Sequence, residues 1–341
     1  MVHRIRAASL SKYADVARRV GLDPMRMLSE FGLPPRCLEE PELRVPLDAV
    51  RQLLESSAAR SGVEGFGLLM AEGRRLSDLG PLGLLVREQP TLRLALDAFV
   101  HYGGRLNEAL FLTADEIGDV VVLREELIVG ESGSIRQSTE LAIGVAFRML
   151  RTFLGTQWRP RRVCFAHDAP ADRSVHERVF GRTLEFGHDF NGIVCARSDL
   201  EVPNPDADPG IARLARQILE SDAATHPPDM AAQVRAVVVA LLGTGECSVD
   251  RVAQHLGVDR RTIHRHLRRE GETFSAIVDA VRRELAERYV NEGDRSLAEV
   301  SSLLGFSAPS AFSRWYRQRF KAKPSERRTR GARPGRAPSR R

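Results

Sequence analysis

The sequence lacks the features that mark several common classes of protein. Its four cysteines lie far apart and form no Cys-x-x-Cys pair, which argues against a disulfide framework and against a cysteine-rich zinc site. No run of about 18 apolar residues is present, so we expect no membrane span. The first residues contain no continuous apolar segment followed by a cleavage site, so we expect no signal peptide. These absences favour a cytoplasmic protein with reduced thiols.

Catalytic and metal-binding signatures are also missing. The chain contains no Gly-x-Ser-x-Gly elbow, no phosphate loop and no His-Glu-x-x-His pair, so we predict that it is not an enzyme and needs no cofactor or metal. His264 and His266 point about 200° apart on a helix and cannot share one ion. Four further polar residues converge only if a turn brings them together, and we interpret them as a polar turn between a strand and a helix: His167, Asp168, Asp172 and His176.

Lysine is scarce, and the positive charge is unevenly placed. Only three of the 51 basic residues are lysines, so arginine is favoured throughout, and genome base composition is one explanation. From Asp229 to the carboxyl end, 23 basic residues accompany 13 acidic ones, a net charge of +10, whereas the part of the chain before Asp229 carries a net charge of −4. Such asymmetry is typical of a protein whose basic part has a polyanionic partner.

The hydrophobic periodicity and the proline- and glycine-rich stretches divide the chain into four parts. Residues 1–203 predict an α+β effector-binding and dimerisation domain, with helices and a small, mostly antiparallel sheet. The stretch Pro203–Gly210 is rich in proline and opens a linker, 204–228, with a short helix. Residues 229–327 predict an all-α domain, and the Arg/Gly/Pro-rich residues 328–341 predict a disordered basic tail.

Several elements of the first domain are predicted from local signals. Two short helices flank a break at Gly21–Pro24, and a longer helix begins at Pro46 and stops at Gly62. Two β-rich runs around the sequence DEIGD predict a hairpin. Six apolar residues are interpreted as core rather than as the lining of a ligand pocket: Leu84, Leu94, Phe99, Phe111, Phe147 and Phe153.

The second domain contains one pattern twice. The segment SVDRVAQHLG begins at Ser248, and the matching segment SLAEVSSLLG begins at Ser296. Each copy has a serine suited to cap a helix, an apolar pair four residues apart, and a glycine that permits a sharp exit, Gly257 or Gly305. A second apolar pair follows each glycine: Ile263/Leu267 in the first copy and Phe312/Tyr316 in the second. Each copy therefore predicts a helix-turn-helix, whose second helix enters the major groove of DNA.

The second helix of the first copy is basic on its outer face. Four side chains share that face at helical spacing: Arg261, His264, Arg265 and Arg268. Arginine bonds bidentately to guanine, and histidine donates to the same acceptors. The second copy has less charge at the matching positions, so we expect it to discriminate bases less. We assign three arginines to the DNA backbone: Arg260, Arg268 and Arg317.

A helical connector, TFSAIVDAVRRELAERYVNEG, joins the two copies. Its roughly 19 helical residues span about 28 Å, and one turn of DNA is about 34 Å long. A rigid connector of that length would place two recognition helices in successive major grooves on one face of DNA. The competing interpretation, a pair of helical hairpins with solvated arginine faces, is weakened by the duplication.

These residues resemble the AraC/XylS family of bacterial transcription regulators over about 230–327. The resemblance rests on the tandem pattern, on VRRELAERYV, and on SLAEVSSLLGFSAPSAFSRWYRQRF with its closing Pro324. Lys321 stands where the family usually has a glycine. The resemblance implies a seven-helix domain with two helix-turn-helix units, and it implies base contacts from six residues: Arg261, His264, Arg265, Ser310, Ser313 and Arg314.

The first domain resembles the effector and dimerisation domain of one branch of that family, the branch of ornithine-utilisation regulators. Two stretches carry this resemblance, LGPLGLLVREQPTLRLALDAFVHYG and RPRRVCFAHDAPADRSVHERVFGRTLEFGHDFNGIVC. It implies a small-molecule effector of unknown identity, with unknown binding residues, and a homodimer. We predict a sequence-specific regulator of transcription, an activator that works with RNA polymerase, with double-stranded DNA and the effector as partners and no membrane partner.

Two alternatives stay open from the sequence. A DNA-repair enzyme can use the same type of DNA-binding domain, but it needs a reactive-cysteine or glycosylase signature that the isolated Cys37, Cys164 and Cys195 do not supply. A protein-binding co-regulator would show neither retention on DNA at moderate salt nor a steep salt dependence.

Overall fold

The chain folds into two compact units, Met1–Pro228 and Asp229–Arg341. A computed structural model describes most of both units: residues 4–107, 110–127, 133–225, 230–243, 245, 247–256, 258–292 and 295–331. The first unit combines helices with a small sheet, and the second has helices as its only regular elements among its described residues. The predicted fold class is confirmed. No helix within the described ranges is both long and apolar enough to cross a membrane.

The first unit opens with a helical layer beside a two-stranded ribbon. The predicted break at Gly21–Pro24 is confirmed, because Gly21 adopts a φ of 80° and the Asp23 carboxylate accepts hydrogen bonds from the next helix. The ribbon was not predicted, because three-residue strands carry too little periodicity. The elements are β1 (Arg4–Arg6), α1 (Tyr13–Arg19), α2 (Pro24–Glu30), β2 (Arg44–Pro46), α3 (Leu47–Ser61) and α4 (Phe66–Gly73).

A five-stranded sheet and its covering helices form the rest of this unit. The elements are α5 (Pro81–Arg87), α6 (Leu92–Tyr102), β3 (Leu110–Ile117), β4 (Val120–Leu127), α7 (Arg136–Leu154), β5 (Arg162–Phe165), α8 (Ser174–Phe180), β6 (Leu184–Phe186) and β7 (Asn191–Ala196). The strand order is β3-β4-β7-β5-β6, and only β5 and β6 are parallel. The predicted hairpin is β3–β4. Val121, Phe165 and Ile193 share one buried core with residues of α5, α6 and α7.

Of the six residues predicted to lie in the core, five are buried or half-buried and one is exposed. Phe99, Phe111 and Phe147 are buried, and Leu84 and Phe153 are half-buried against the same core. Leu94 is 43% exposed, so its assignment to the core was wrong. The buried face of α6 is formed instead by Leu92, Ala95, Leu96, Ala98, Phe99 and Tyr102, and Leu94 projects from another side of the helix.

The segment 204–228 holds a helix that belongs to the first unit. This helix, α9 (Pro209–Thr225), is 17 residues long and extends beyond the expected short helix. Ala215 and Leu219, four residues apart, are buried in the core that also contains α5. The segment is therefore less of a free linker than its composition indicates, because one apolar face of the helix anchors it.

The second unit contains seven described helices. They are α10 (Met230–Leu242), α11 (Val249–His255), α12 (Arg260–Arg269), α13 (Phe274–Glu292), α14 (Leu297–Leu303), α15 (Pro309–Phe320) and α16 (Pro324–Gly331). The last helix includes the first four residues of the predicted disordered tail, 328–341. Arg327 anchors it, because its guanidinium lies 3.5 Å from Glu287 and 5.3 Å from the centre of the Phe320 ring. The rest of the tail lies outside the described residues.

Candidate nucleic-acid interface

Helices α11 and α12 form the first predicted helix-turn-helix. The Ser248 hydroxyl accepts a hydrogen bond from the Arg251 backbone N–H at 3.3 Å, which caps α11. Beyond that helix, the Val258 N–H donates to the Ala253 carbonyl at 3.0 Å and closes the turn. The proposed turn residue Gly257 lies outside the described residues. Val252, Ile263 and Leu267 are buried where they hold the two helices against the unit's core.

Asp259 fixes the start of α12. Its carboxylate accepts hydrogen bonds from the Thr262 backbone N–H at 2.7 Å and from the Thr262 hydroxyl at 3.2 Å. The backbone bond stabilises the ionised form and lowers the pKa of Asp259. A carboxylate at this position also complements the positive end of the helix dipole. This role of Asp259 was not predicted, although an aspartate directly before a basic helix is a recognisable N-cap signal.

The outer face of α12 is exposed and basic, as the spacing predicted. Arg261, His264, Arg265 and Arg268 all lie at the surface, while Ile263 and Leu267 of the same helix are buried. Within the described part of the chain, none of the four exposed side chains forms an ion pair, so their hydrogen-bond donors are available to an external anion. A shallow surface concavity lies along this face, lined by Asp259, Arg260, Arg261, His264 and Arg268.

Arg260 lies at the edge of the same face. Its guanidinium is 3.8 Å from the carboxylate of Asp250, and both side chains are more than 60% exposed. An exposed pair at this distance contributes little to stability. Arg260 can therefore exchange Asp250 for another anion with little loss of stability.

Helices α14 and α15 repeat the plan of the first helix-turn-helix. Ser296 and Glu299 cap α14 reciprocally: the Ser296 N–H donates to the Glu299 carboxylate at 2.5 Å, and the Glu299 N–H donates to the Ser296 hydroxyl at 3.2 Å. The Phe306 N–H then donates to the Ser301 carbonyl at 3.0 Å. This bond joins the two positions that correspond to Val258 and Ala253 in the repeat, and it has the same length, so the turn is duplicated as well as the helices.

Gly305 is required by the space around the second turn. Its φ is 66°, in the left-handed region that favours glycine. A Cβ atom at this position would lie 2.5 Å from the Leu242 carbonyl oxygen, where α10 ends. No other residue fits without moving one of the two backbones.

The second recognition helix, α15, presents a less basic face. Phe312 and Tyr316 are fully buried, while Ser310, Arg314 and Arg317 are exposed and Ser313 is half-buried. All residues predicted for this face are therefore at least partly exposed to solvent, and Ser313 is the least exposed of them. The weaker charge of this helix agrees with the expectation from the sequence.

The connector α13 holds the second helix-turn-helix through two polar residues, Asp279 and Arg282, whose roles were not predicted from the sequence. The Asp279 carboxylate accepts hydrogen bonds from Trp315 Nε1 at 2.8 Å and from Arg319 Nε at 3.1 Å, both on α15. The Arg282 guanidinium donates to the carbonyls of Leu304 at 3.0 Å and Gly305 at 3.2 Å. Arg282 thereby caps the carboxyl end of α14.

These bonds tie α13 to both α14 and α15. Burial lowers the pKa of Arg282, which is the usual effect of removing a cation from water. The connector is 19 residues long, as predicted. It is therefore packed against the second helix-turn-helix rather than serving as a free spacer.

The structure brings together only some of the four polar residues considered as possible metal ligands, His167, Asp168, Asp172 and His176. His176 Nε2 lies 2.9 Å and His167 Nε2 3.4 Å from the same oxygen of the buried Glu140. Asp172 is turned elsewhere and accepts a hydrogen bond from the Ser174 N–H at the start of α8. His167 Nδ1 donates a hydrogen bond to the Asp168 carbonyl at 2.9 Å, and burial lowers the pKa of His167.

The three cysteines considered for a repair enzyme are buried. Burial raises the pKa of Cys37, raises that of Cys164 to about 11, and raises that of Cys195 to about 12. A nucleophilic cysteine needs the opposite, a lowered pKa in a partly exposed electropositive site. The geometry gives no support to a reactive cysteine at these positions.

Comparison with known proteins follows the same division of the chain. Residues 21–204 match the family model described as the arabinose-binding domain of AraC transcription regulator, N-term, and residues 252–330 match a helix-turn-helix domain. The chain is 31% identical over 334 residues to the HTH-type transcriptional regulator VirS of Mycobacterium tuberculosis, covering 97% of this chain and 98% of that protein. It is 26% identical to the ornithine utilization regulator of Pseudomonas aeruginosa, covering 89% of this chain and 90% of that protein.

These similarities and the two helix-turn-helix units define a DNA-binding transcription regulator with an amino-terminal ligand-binding domain. The chain belongs to the AraC family of transcription regulators. A crystal structure of the transcriptional regulator CdpR from Pseudomonas aeruginosa covers 92% of this chain and 98% of its own at 19% identity, with a TM-score of 0.45. The family assignment rests on the sequence matches.

Proposed function

We propose that this regulator is a sequence-specific activator whose first unit binds a small-molecule effector and whose second unit reads DNA with two recognition helices. One observation carries the proposal. The two helix-turn-helix units have the same turn bond at corresponding positions of the repeat, and the helix that follows the first turn exposes a row of basic side chains opposite its buried residues.

Each exposed residue has a proposed role. Side chains on the outer faces of α12 and α15 contact base edges: Arg261, His264, Arg265, Ser310, Ser313 and Arg314. Arginines beside those faces contact phosphates: Arg260, Arg268 and Arg317. Because arginine recognises guanine bidentately and serine makes one weaker contact, α12 supplies most of the sequence discrimination.

The remaining parts of the proposal concern partners. The protein acts in the cytoplasm as a homodimer and recruits RNA polymerase. Its first unit responds to an effector, in keeping with the arabinose-binding family model that matches it. A duplex selected from a random pool by the full chain and placed upstream of a core promoter tests activation: transcription by purified RNA polymerase should rise when the protein is added, and a fall would make it a repressor.

Arg265 gives the sharpest test of DNA reading. Replacing it with alanine removes a side chain whose donors are free for a base, so we expect binding to the selected duplex to weaken by about 1–3 kcal/mol and preference at one base position to relax. Fluorescence anisotropy with the selected duplex and with random duplex measures both effects. The matched control is Arg216→Ala, which removes an exposed arginine from α9 in the first unit and should change neither.

The outcome that contradicts this role is equal weakening on both duplexes. Arg265 would then be a phosphate contact, because phosphate contacts carry no direct sequence information. Complete failure of the full chain to bind any duplex at moderate salt would favour a protein-binding co-regulator instead.

A further inference from the structure

Three potential metal ligands from different positions in the sequence meet on the sheet of the first unit. They are the thiol of Cys164, the carboxylate of Glu185 and the imidazole of His188, and one ligand atom of each lies within 4.8 Å of the other two. No other group of three or more His, Cys, Asp or Glu residues in the described part of the chain meets this condition. We propose that this cluster binds a divalent transition-metal ion of the zinc class.

The sheet register places the first two ligands. Strands β5 and β6 are parallel, and Cys164 is the direct partner of Glu185, so both side chains project from the same face of the sheet. Val163 and Phe165, the neighbours of Cys164, belong to the hydrophobic core, so Cys164 projects from the opposite face. The Cys164 thiol is buried, and the Glu185 side chain, which is 44% exposed, lies beside it.

The turn after β6 places the third ligand. The Gly187 N–H donates to the His167 carbonyl at 3.0 Å, and the His188 N–H donates to the Phe165 carbonyl at 2.9 Å. These two bonds fasten the turn to the end of β5 and bring the His188 ring over the same face. Its Nε2 lies 3.7 Å from the Glu185 carboxylate.

The neighbouring strand places no side chain beside the Cys164 thiol. On the other side of β5, the partner of Cys164 is Gly192 of β7, which has no side chain to cover the sulfur. The His188 side chain is 27% exposed and the Glu185 side chain 44% exposed, so both of these ligands can be reached from solvent. The Cys164 thiol is fully buried, so the two half-exposed side chains form the solvent side of the site.

The ligand types decide the class of ion. Thiolate and imidazole favour zinc and similar borderline ions, whereas magnesium and calcium prefer oxygen ligands throughout. Bond lengths of about 2.0–2.3 Å around a tetrahedral zinc ion put neighbouring ligand atoms about 3.3–3.8 Å apart. Rotations of the half-exposed Glu185 and His188 side chains would bring the cluster to that spacing, with Glu185 leaving its exposed ion pair with Arg162 at 3.6 Å. Three protein ligands leave a fourth position for water or another small ligand.

Cobalt(II) is the probe for this site, because its spectrum reports both geometry and thiolate ligation. Untagged full-length protein, stripped of metal with a chelator, should bind one Co²⁺ with a near-ultraviolet charge-transfer band from the thiolate and the visible bands of a four-coordinate ion. One equivalent of Zn²⁺ should remove this spectrum. Cys164→Ser should abolish the charge-transfer band.

The matched control is Cys195→Ser, another buried cysteine of the same sheet, which lies in the core away from the cluster and should leave the band intact. Glu185→Gln tests the site with little risk to folding, because the side chain is half-exposed, and it should weaken Zn²⁺ binding at least tenfold. Circular dichroism of each metal-free variant verifies its fold. The proposal is overturned if the wild-type protein binds no stoichiometric Co²⁺ at micromolar concentration, or if the band persists in Cys164→Ser.

Discussion

Lys321 ends helix α15 in a backbone conformation that a lysine rarely adopts. Its φ of 53° lies in the left-handed region, and its N–H donates to the Arg317 carbonyl at 3.0 Å. The sequence already showed that a lysine stands where the family usually has glycine. The helix nevertheless ends on a left-handed residue without a glycine, a conformation in which a Cβ atom lies unfavourably close to the following carbonyl oxygen.

Lys321→Gly should therefore stabilise the second unit by about 1 kcal/mol, because glycine adopts this conformation without a steric penalty. Urea unfolding of the full chain, followed by the fluorescence of Trp315 in a Trp158→Phe background, measures the change. Lys321→Ala is the matched control, since it removes the same charge but keeps Cβ. If the alanine variant is stabilised as much as the glycine variant, charge rather than backbone conformation is responsible.

At the scale of elements, the helix-turn-helix units were predictable because their signals are local. Capping serines, apolar pairs and a basic face lie within a few residues of one another along the chain. The way in which α13 holds the second helix-turn-helix was not predictable, because Asp279 reaches residues 36 and 40 positions later. The same limit applies to Leu94, whose apolar character indicated the core while the packing of α6 exposed it.

Asp279→Ala should loosen α15, because it leaves the indole N–H of Trp315 and the guanidinium of Arg319 without their shared acceptor. We expect amide hydrogen exchange over residues 309–320 to accelerate about fivefold, equivalent to about 1 kcal/mol for a half-exposed bond. Mass spectrometry of the full chain measures it. Asp250→Ala, which removes only the exposed partner of Arg260, should leave exchange unchanged. Equal exchange in wild type and Asp279→Ala would show that α15 is held by its apolar face alone.

For the whole molecule, the separation of charge has a functional consequence. The net charge of +10 lies after residue 228, and the net charge of the earlier part is −4. The acidic first unit is therefore repelled by a polyanion while the second is attracted. Long-range attraction, unlike base reading, acts on any DNA sequence and is weakened by salt.

Arg268→Ala should flatten the salt dependence of DNA binding. Each chain has three proposed phosphate contacts, so the plot of log affinity against log salt concentration should have a negative slope with a magnitude of about 3 or more per protomer. Losing one contact should reduce that magnitude by about one. Anisotropy titrations at several salt concentrations measure both slopes. Arg216→Ala should leave the slope unchanged, and an unchanged slope in Arg268→Ala would remove that residue from the phosphate contacts.

The sequence by itself determined the class of this protein, its two-part plan and the faces of both recognition helices. These features follow from spacing within single helices, where the chain positions fix which side chains share a face. Only the tertiary structure decided that α9 packs on the first unit, that Asp279 and Arg282 hold the second helix-turn-helix, and that Cys164 meets Glu185 and His188. Those contacts depend on strand register and helix packing between distant segments, and neither leaves a periodic signal in the sequence.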